Sequence, residues 1–185
     1  NVEKGDTYKP SLERDIITVL HSAILELKNY KNVKRKDVKR DLLLIFHLVG
    51  DLHQPLHVGY GSDRGGNSVE INSPLVSGNL HSVWDSQIID AKGINFDSCM
   101  ALYPTLDETT VKQIQKISVL TWMNQSRTLL DTAYSFQNNY LSPEYVNNNV
   151  RVIERQILLG GLRLAAILKE AFNPAPAEPA LAPRS

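Results

Sequence analysis

Apolar residues Leu12, Ile16, Leu20, Ala23 and Leu27 recur at spacings of three and four, which predicts an amphipathic helix over 11–30. Val38, Leu42, Ile45, Phe46 and Val49 repeat in the same way, and the block from Leu42 is apolar almost all round. A second, central helix over 36–51 follows from that pattern. Gln54-Pro55 ends it, because proline disfavours helical geometry in the residue before it, and the loop GYGSDRGGN comes next. Polar and apolar side chains alternate over 67–72, as in a short strand or hairpin arm, and this is the only β signal in the chain.

A third helix is expected over 79–90, with Leu80, Val83, Trp84 and Ile88 on one side. A fourth, over 107–136, carries Val111, Ile114, Ile117, Trp122, Leu129 and Ala133, with a bend near Asn124. The last is marked at its start: Ser142 can cap, Pro143 suits the first turn, and Glu144 favours the positive end of the helix dipole. From there Val146, Val150, Ile153, Ile157, Gly161, Leu164 and Leu168 line one face down to Phe172, and Gly161 is expected to let a neighbouring helix come close. The pattern predicts an all-α, multi-helix domain over 1–172 with one hairpin-like segment near 67–72. The tail NPAPAEPALAPRS holds four of the nine prolines and little that can pack, so a disordered segment is expected over 173–185.

Composition narrows the function classes. A chain of 185 residues, 42% apolar and 22% charged, is ordinary for one globular domain. The formal net charge is zero, so no global field attracts a polyanion, and nucleic acid would have to be held by a local device such as metal ions. The apolar run 42–49 falls far short of the roughly 20 residues needed to cross a bilayer, and no membrane association is expected. The sequence opens on a polar stretch without a signal peptide, so residues upstream are expected to be missing. The single Cys99 is either a buried thiol or half of a bridge to a partner outside these residues, and the reading leans to the bridge.

The stretch HLVGDLHQPLH puts three of the five histidines into one short segment. His47 and Asp51 form H-x-x-x-D, and on a helix i and i+4 side chains stand on one face, close enough to approach a common metal ion. The same spacing recurs at His81 and Asp85 in NLHSVWD. One copy alone reads more readily as a hydrogen-bonded helix pair; two copies with His57 between them favour metal. Strongly apolar neighbours such as Ile45, Phe46, Val49 and Trp84 make unpaired imidazole and carboxylate costly there. Ligands of histidine and aspartate without cysteine suit catalytic zinc that keeps an open position.

HLVGDLHQPLHVG, DRGGN and NLHSVWD, in that order and spacing, resemble the S1/P1 nuclease family of trinuclear zinc enzymes, from about Leu12 to Phe172. The resemblance implies a mainly helical, secreted or periplasmic enzyme. It implies cleavage of single-stranded DNA or RNA to 5′-mononucleotides, with 3′-nucleotidase activity on nucleotides. It further implies that His47 and Asp51 are ligands of a close zinc pair, with Asp51 the bridging and catalytic carboxylate. His57, His81 and Asp85 match the ligands of the third zinc. Gly66 and Asn67, with Gly65 before them, match the loop beside the nucleotide pocket, where Arg64 could face substrate or solvent.

The family's N-terminal zinc ligands have no counterpart here, so a companion N-terminal segment of the same protein is the expected partner. The alternatives are a zinc phospholipase C with a similar trinuclear site, or an inactive zinc-stabilised fragment. His53 is read as a packing or supporting residue and His21 as a surface one. Trp84 and Trp122 are read as core. Tyr60 stacks on a base or is simply exposed. The glycosylation sequon Asn124-Gln125-Ser126 falls within a helical pattern and carries little weight.

Overall fold

The computed structural model describes residues 2–10 and 15–173. Helix α1 (Ile16–Lys28) starts at a capping box in which the Asp15 carboxylate accepts from the Thr18 amide at 2.8 Å and the Thr18 hydroxyl faces the Asp15 amide. Leu12, the first residue of the expected stripe, lies outside the described residues, as does 174–185, nearly all of the expected tail. Helix α2 (Arg35–His53) packs against α1, and Ile45, Val49 and Leu52 on its inner side are buried. Its apolar character all round does not mean burial all round. Leu43 and Phe46 are 63% and 54% exposed.

A single 3-10 turn (Pro55–Val58) follows α2, then the glycine-rich loop and the antiparallel hairpin of β1 (Glu70–Asn72) and β2 (Ser77–Asn79). Strand β2 reads Ser-Gly-Asn, so it has no apolar alternation to announce it. Asn79 then caps a helical segment built as α3 (Leu80–Ser82), a π-helical turn (Val83–Gln87) and α4 (Ile88–Lys92). A short α5 (Phe96–Met100), absent from the sequence pattern, follows.

The expected fourth helix is three pieces: α6 (Glu108–Ile114), α7 (Val119–Arg127) and α8 (Leu130–Ala133). Ser118 breaks it with non-helical backbone (φ −151°, ψ 86°), and the Trp122 indole N–H donates to the Lys116 carbonyl across the break. No residue of α6 is buried, so its apolar positions belong to a surface helix rather than to a core stripe.

Helix α9 (Pro143–Phe172) begins as expected, with the Ser142 hydroxyl accepting from the Tyr145 amide. Its buried face is rotated from the apolar stripe, because Asn149, Gln156 and Arg163 are buried while Ile157 is 44% exposed. Gly160, not Gly161, faces the neighbouring helix: a Cβ on Gly160 would sit 3.4 Å from the His53 ring, whereas one on Gly161 would meet nothing within 4 Å. Among the described residues two apolar clusters result. Leu52 belongs to the one built on α1, α2 and α7, and Leu56 to the one built on the hairpin, α4 and the start of α9. The segment between them therefore lies at the seam of the two cores. Cys99 is buried in the second cluster, and burial pushes its thiol pKa up.

Candidate metal centre

Both H-x-x-x-D pairs form as the helical spacing requires. His47 Nε2 lies 3.2 Å from Asp51 Oδ2, and His81 Nε2 lies 3.4 Å from Asp85 Oδ2. His57, carried by the 3-10 turn, stands between them: its Nε2 is 3.1 Å from Asp85 Oδ1 and its Nδ1 is 3.9 Å from Asp51 Oδ2. One atom from each of His57, His81 and Asp85 falls within 4.8 Å of the others, a grouping that could hold a cation. The donor set fits zinc: two imidazoles and one carboxylate leave a fourth tetrahedral position open.

The surroundings prepare these groups. Oδ1 of Asp85 also accepts from the Gln54 side-chain amide at 2.8 Å. Burial works against ionisation of Asp85, but the hydrogen bonds from His57, His81 and Gln54 outweigh it and hold the carboxyl well below the usual carboxylate range. The Asp85 bond raises the His81 pKa against the opposing effect of burial. Nδ1 of His81 is 2.7 Å from the Gly65 carbonyl, which assigns its proton to Nδ1 and turns Nε2 toward Asp85. A cation held there would take Nε2 of His81 as its ligand.

Gly65 can present its carbonyl there only as glycine. Its φ is +62°, and a Cβ would collide with the Leu56 carbonyl oxygen. Gly66 is also at positive φ, with its N–H donating to Asp63 Oδ1. Tyr134 anchors the other oxygen of Asp63 at 2.6 Å, and Arg127 ties the loop by donating to the Val58 carbonyl. Asn67 is exposed, and its side-chain N–H donates to the Arg64 carbonyl at 2.9 Å. Arg64 is exposed on the same loop, with φ +59°.

Beside the cluster, a cavity of about 450 Å³ opens between α2, α4 and α9. Asp51, His57 and Asp85 form part of its wall, and Phe46, Trp84 and Ile157 are among its apolar lining. His47 stands outside it with its side chain 71% exposed.

The other histidines separate from the cluster. His53 is 4% exposed and bonded to the Val49 carbonyl and Arg163, and His21 is exposed on α1. Trp84 and Trp122 are core residues, 2% and 1% exposed. Tyr60 is half-buried against Tyr134 and the Arg127 guanidinium. Ser126 of the sequon is fully buried in α7, its hydroxyl donated to the Leu52 carbonyl. The sequence reading placed Gln54 at the end of the second helix and Gly65 in the loop beside the nucleotide pocket, but it missed their roles in orienting Asp85 and His81. The signals were there: a glutamine just before the helix-ending proline, and a glycine pair inside a turn-rich loop.

The S1/P1 Nuclease family model matches residues 3–173. Endonuclease 2 of Arabidopsis thaliana is 27% identical over 187 residues, covering 86% of this chain and 62% of its own length. Endonuclease 5 of the same plant is 30% identical, covering 80% of this chain and 56% of its own length. Nuclease S1 of Aspergillus oryzae is 26% identical, covering 79% and 61%. The chain thus spans between about half and two-thirds of the length of the curated relatives it matches. With the family model matched across nearly all of its described residues, the chain belongs to the S1/P1 nuclease family.

Proposed function

We propose that this chain carries the larger part of a zinc-dependent phosphodiesterase site that hydrolyses single-stranded DNA or RNA to 5′-mononucleotides and removes 3′-phosphate from nucleotides. The convergence of His57, His81 and Asp85 on one small volume, in a chain of this family, carries the reading. Zinc held there would act as a Lewis acid, lowering the pKa of water and stabilising negative charge on a phosphate and its departing oxygen. The chain's own residues do the positioning. Gln54 and Gly65 fix the orientation of Asp85 and His81. Asn67, Gly66 and Arg64 lie on the neighbouring loop, where the exposed amide of Asn67 and the exposed guanidinium of Arg64 suit a base edge and a phosphate. Single strands are favoured because an unstacked nucleotide reaches such a site without the cost of opening a duplex.

The zinc pair proposed at His47 and Asp51 draws its remaining ligands from a companion N-terminal segment. Support comes from the exposure of His47, whose close charged partner is Asp51, and from the apolar cavity edged by exposed Phe46 and Ile157. A secreted or periplasmic location goes with the same reading; among the described residues no helix is long and apolar enough to cross a membrane. Incubation with zinc and single-stranded DNA, duplex DNA or phosphatidylcholine, with and without the companion segment, tests the proposal. Release of 5′-mononucleotides from the single strand is expected. Hydrolysis of phosphatidylcholine alone would assign the site to a phospholipase, and no turnover even with the companion present would leave a zinc-stabilised fragment.

A further inference from the structure

Helix α2 ends with carbonyls that its own backbone does not satisfy. The amides that would continue the helical ladder belong to Leu56 and His57, and Gln54 takes both. Leu56 N–H donates to Gln54 Oε1 at 2.5 Å, and His57 N–H to the Gln54 carbonyl at 3.1 Å. The Leu52 and His53 carbonyls are capped instead by side chains of other helices. The Ser126 hydroxyl of α7 donates to Leu52 at 2.6 Å, and the Gln156 side-chain amide of α9 donates to His53 at 2.9 Å. The same amide reaches Ser126 Oγ at 3.1 Å.

Arg163 completes the arrangement. Its guanidinium lies 2.6 Å from His53 Nε2, donates to Gln125 Oε1, and sits 5.2 Å from the centre of the Trp122 ring. As the guanidinium has only donors, Nε2 of His53 is an acceptor, and its Nδ1–H donates to the Val49 carbonyl at 2.6 Å. Ser126, His53, Arg163 and Gln156 are all buried, at 0%, 4%, 3% and 8% exposure. No hydrogen bond of this network ends on a candidate metal ligand, yet the His53 carbonyl is one half of the peptide group that carries Gln54. Gln54 in turn binds Asp85 and sets the turn that bears His57.

We propose that Ser126, Gln156 and Arg163 form a buried clamp whose role is to fix the His53–Gln54 peptide, so that Asp51, Gln54 and His57 are held in register with His81 and Asp85. They are positioning residues: they act on the site through the end of α2. Apart from Arg163 Nε, which is buried without a partner, the polar groups named here are bonded to one another, and such a network holds one arrangement strongly because others leave further groups unsatisfied.

The affinity arm of the test rests on the zinc reading above; the exchange arm does not. Zinc affinity, the visible spectrum of the cobalt-substituted protein, and amide hydrogen exchange of Leu56 and His57 without metal are compared in Gln156→Leu, Arg163→Met, Arg163→Lys and Ile24→Ala. Ile24 is buried in the α1 core and outside the clamp, so its variant reports plain destabilisation. Gln156→Leu and Arg163→Met should weaken zinc binding ~10- to 100-fold, shift the cobalt bands and expose both amides to exchange. Arg163→Lys, which keeps one donor for His53, should recover part of each effect. Ile24→Ala should lower Tm and leave zinc affinity and exchange at these amides near parental.

Parental affinity and protection in folded Gln156→Leu, or an equal loss in Ile24→Ala, would overturn the proposal. If Arg163→Met does not fold, Gln156→Leu and Arg163→Lys decide. A parent chain that binds no zinc would overturn the metal reading, and the exchange comparison would still decide the clamp.

Discussion

The side-chain amide of Gln54 donates to Oδ1 of Asp85 across 2.8 Å, joining the end of α2 to the π-helical turn that carries the second H-x-x-x-D pair. π-helical turns are uncommon and concentrate at functional sites. Gln54→Met, close in size but without the donor, should weaken zinc binding ~10- to 100-fold, the usual effect of losing a hydrogen bond to a ligand. An equilibrium zinc titration reads this directly, and an affinity within twofold of the parent would show that Asp85 needs no such support.

Gly65→Ala combines a positive φ with a collision at the Leu56 carbonyl, so the loop must move. The expected cost is ~1–3 kcal/mol of stability, measured by urea denaturation. Since the Gly65 carbonyl orients His81, zinc affinity should fall as well. Gly161→Ala is the contrasting case: helical, exposed and with open space around its Cβ. It should stabilise the protein by ~0.5–1 kcal/mol through helix propensity, and a loss of stability would show that this position carries a packing role after all.

Burial, aided by the Arg163 charge, depresses the His53 pKa to about 4 despite the hydrogen bond to Val49. In the unfolded chain the imidazole returns to its ordinary value near 6.5. Between those limits the unfolded state binds the extra proton, so stability rises with pH from about 4 to about 6.5, by up to roughly 3 kcal/mol. Metal-free denaturation across that range should show this slope, and His53→Gln should flatten it. An unchanged slope in the variant would assign the acid sensitivity to other groups.

Much of the scaffold was legible in residue order. The Ser142-Pro143-Glu144 start of α9 and the stripe of α1 follow from capping and period; α9 stands where expected, and α1 runs over Ile16–Lys28, inside the expected 11–30. Other elements were hidden for physical reasons. Strand β2 is Ser-Gly-Asn, held by pairing with β1 and by Gln87 bonds to the Ser77 backbone rather than by propensity. The break at Ser118 separates segments whose apolar periods run on smoothly, and only tertiary packing decides that α6 stays at the surface.

The buried face of α9 misled in the same way. Apolar counting places Gly161 and Ile157 inward, while the fold buries Gln156 and Arg163 because each finds a partner on another helix. At the site, the two H-x-x-x-D pairs announced their own geometry through helical spacing. The roles of Gln54 and Gly65 did not show, because a side-chain bond to Asp85 and a carbonyl aimed at His81 depend on residues distant in sequence.

The most direct test of the central assignment is the zinc content of the purified chain and of its Asp85→Ala variant after equilibration with zinc and removal of loosely held metal. The geometry at His57, His81 and Asp85 predicts about one tightly bound zinc per chain, lost in Asp85→Ala while the helical circular dichroism is retained. Unchanged zinc content in the variant would contradict the account, because the metal would then be held by other residues.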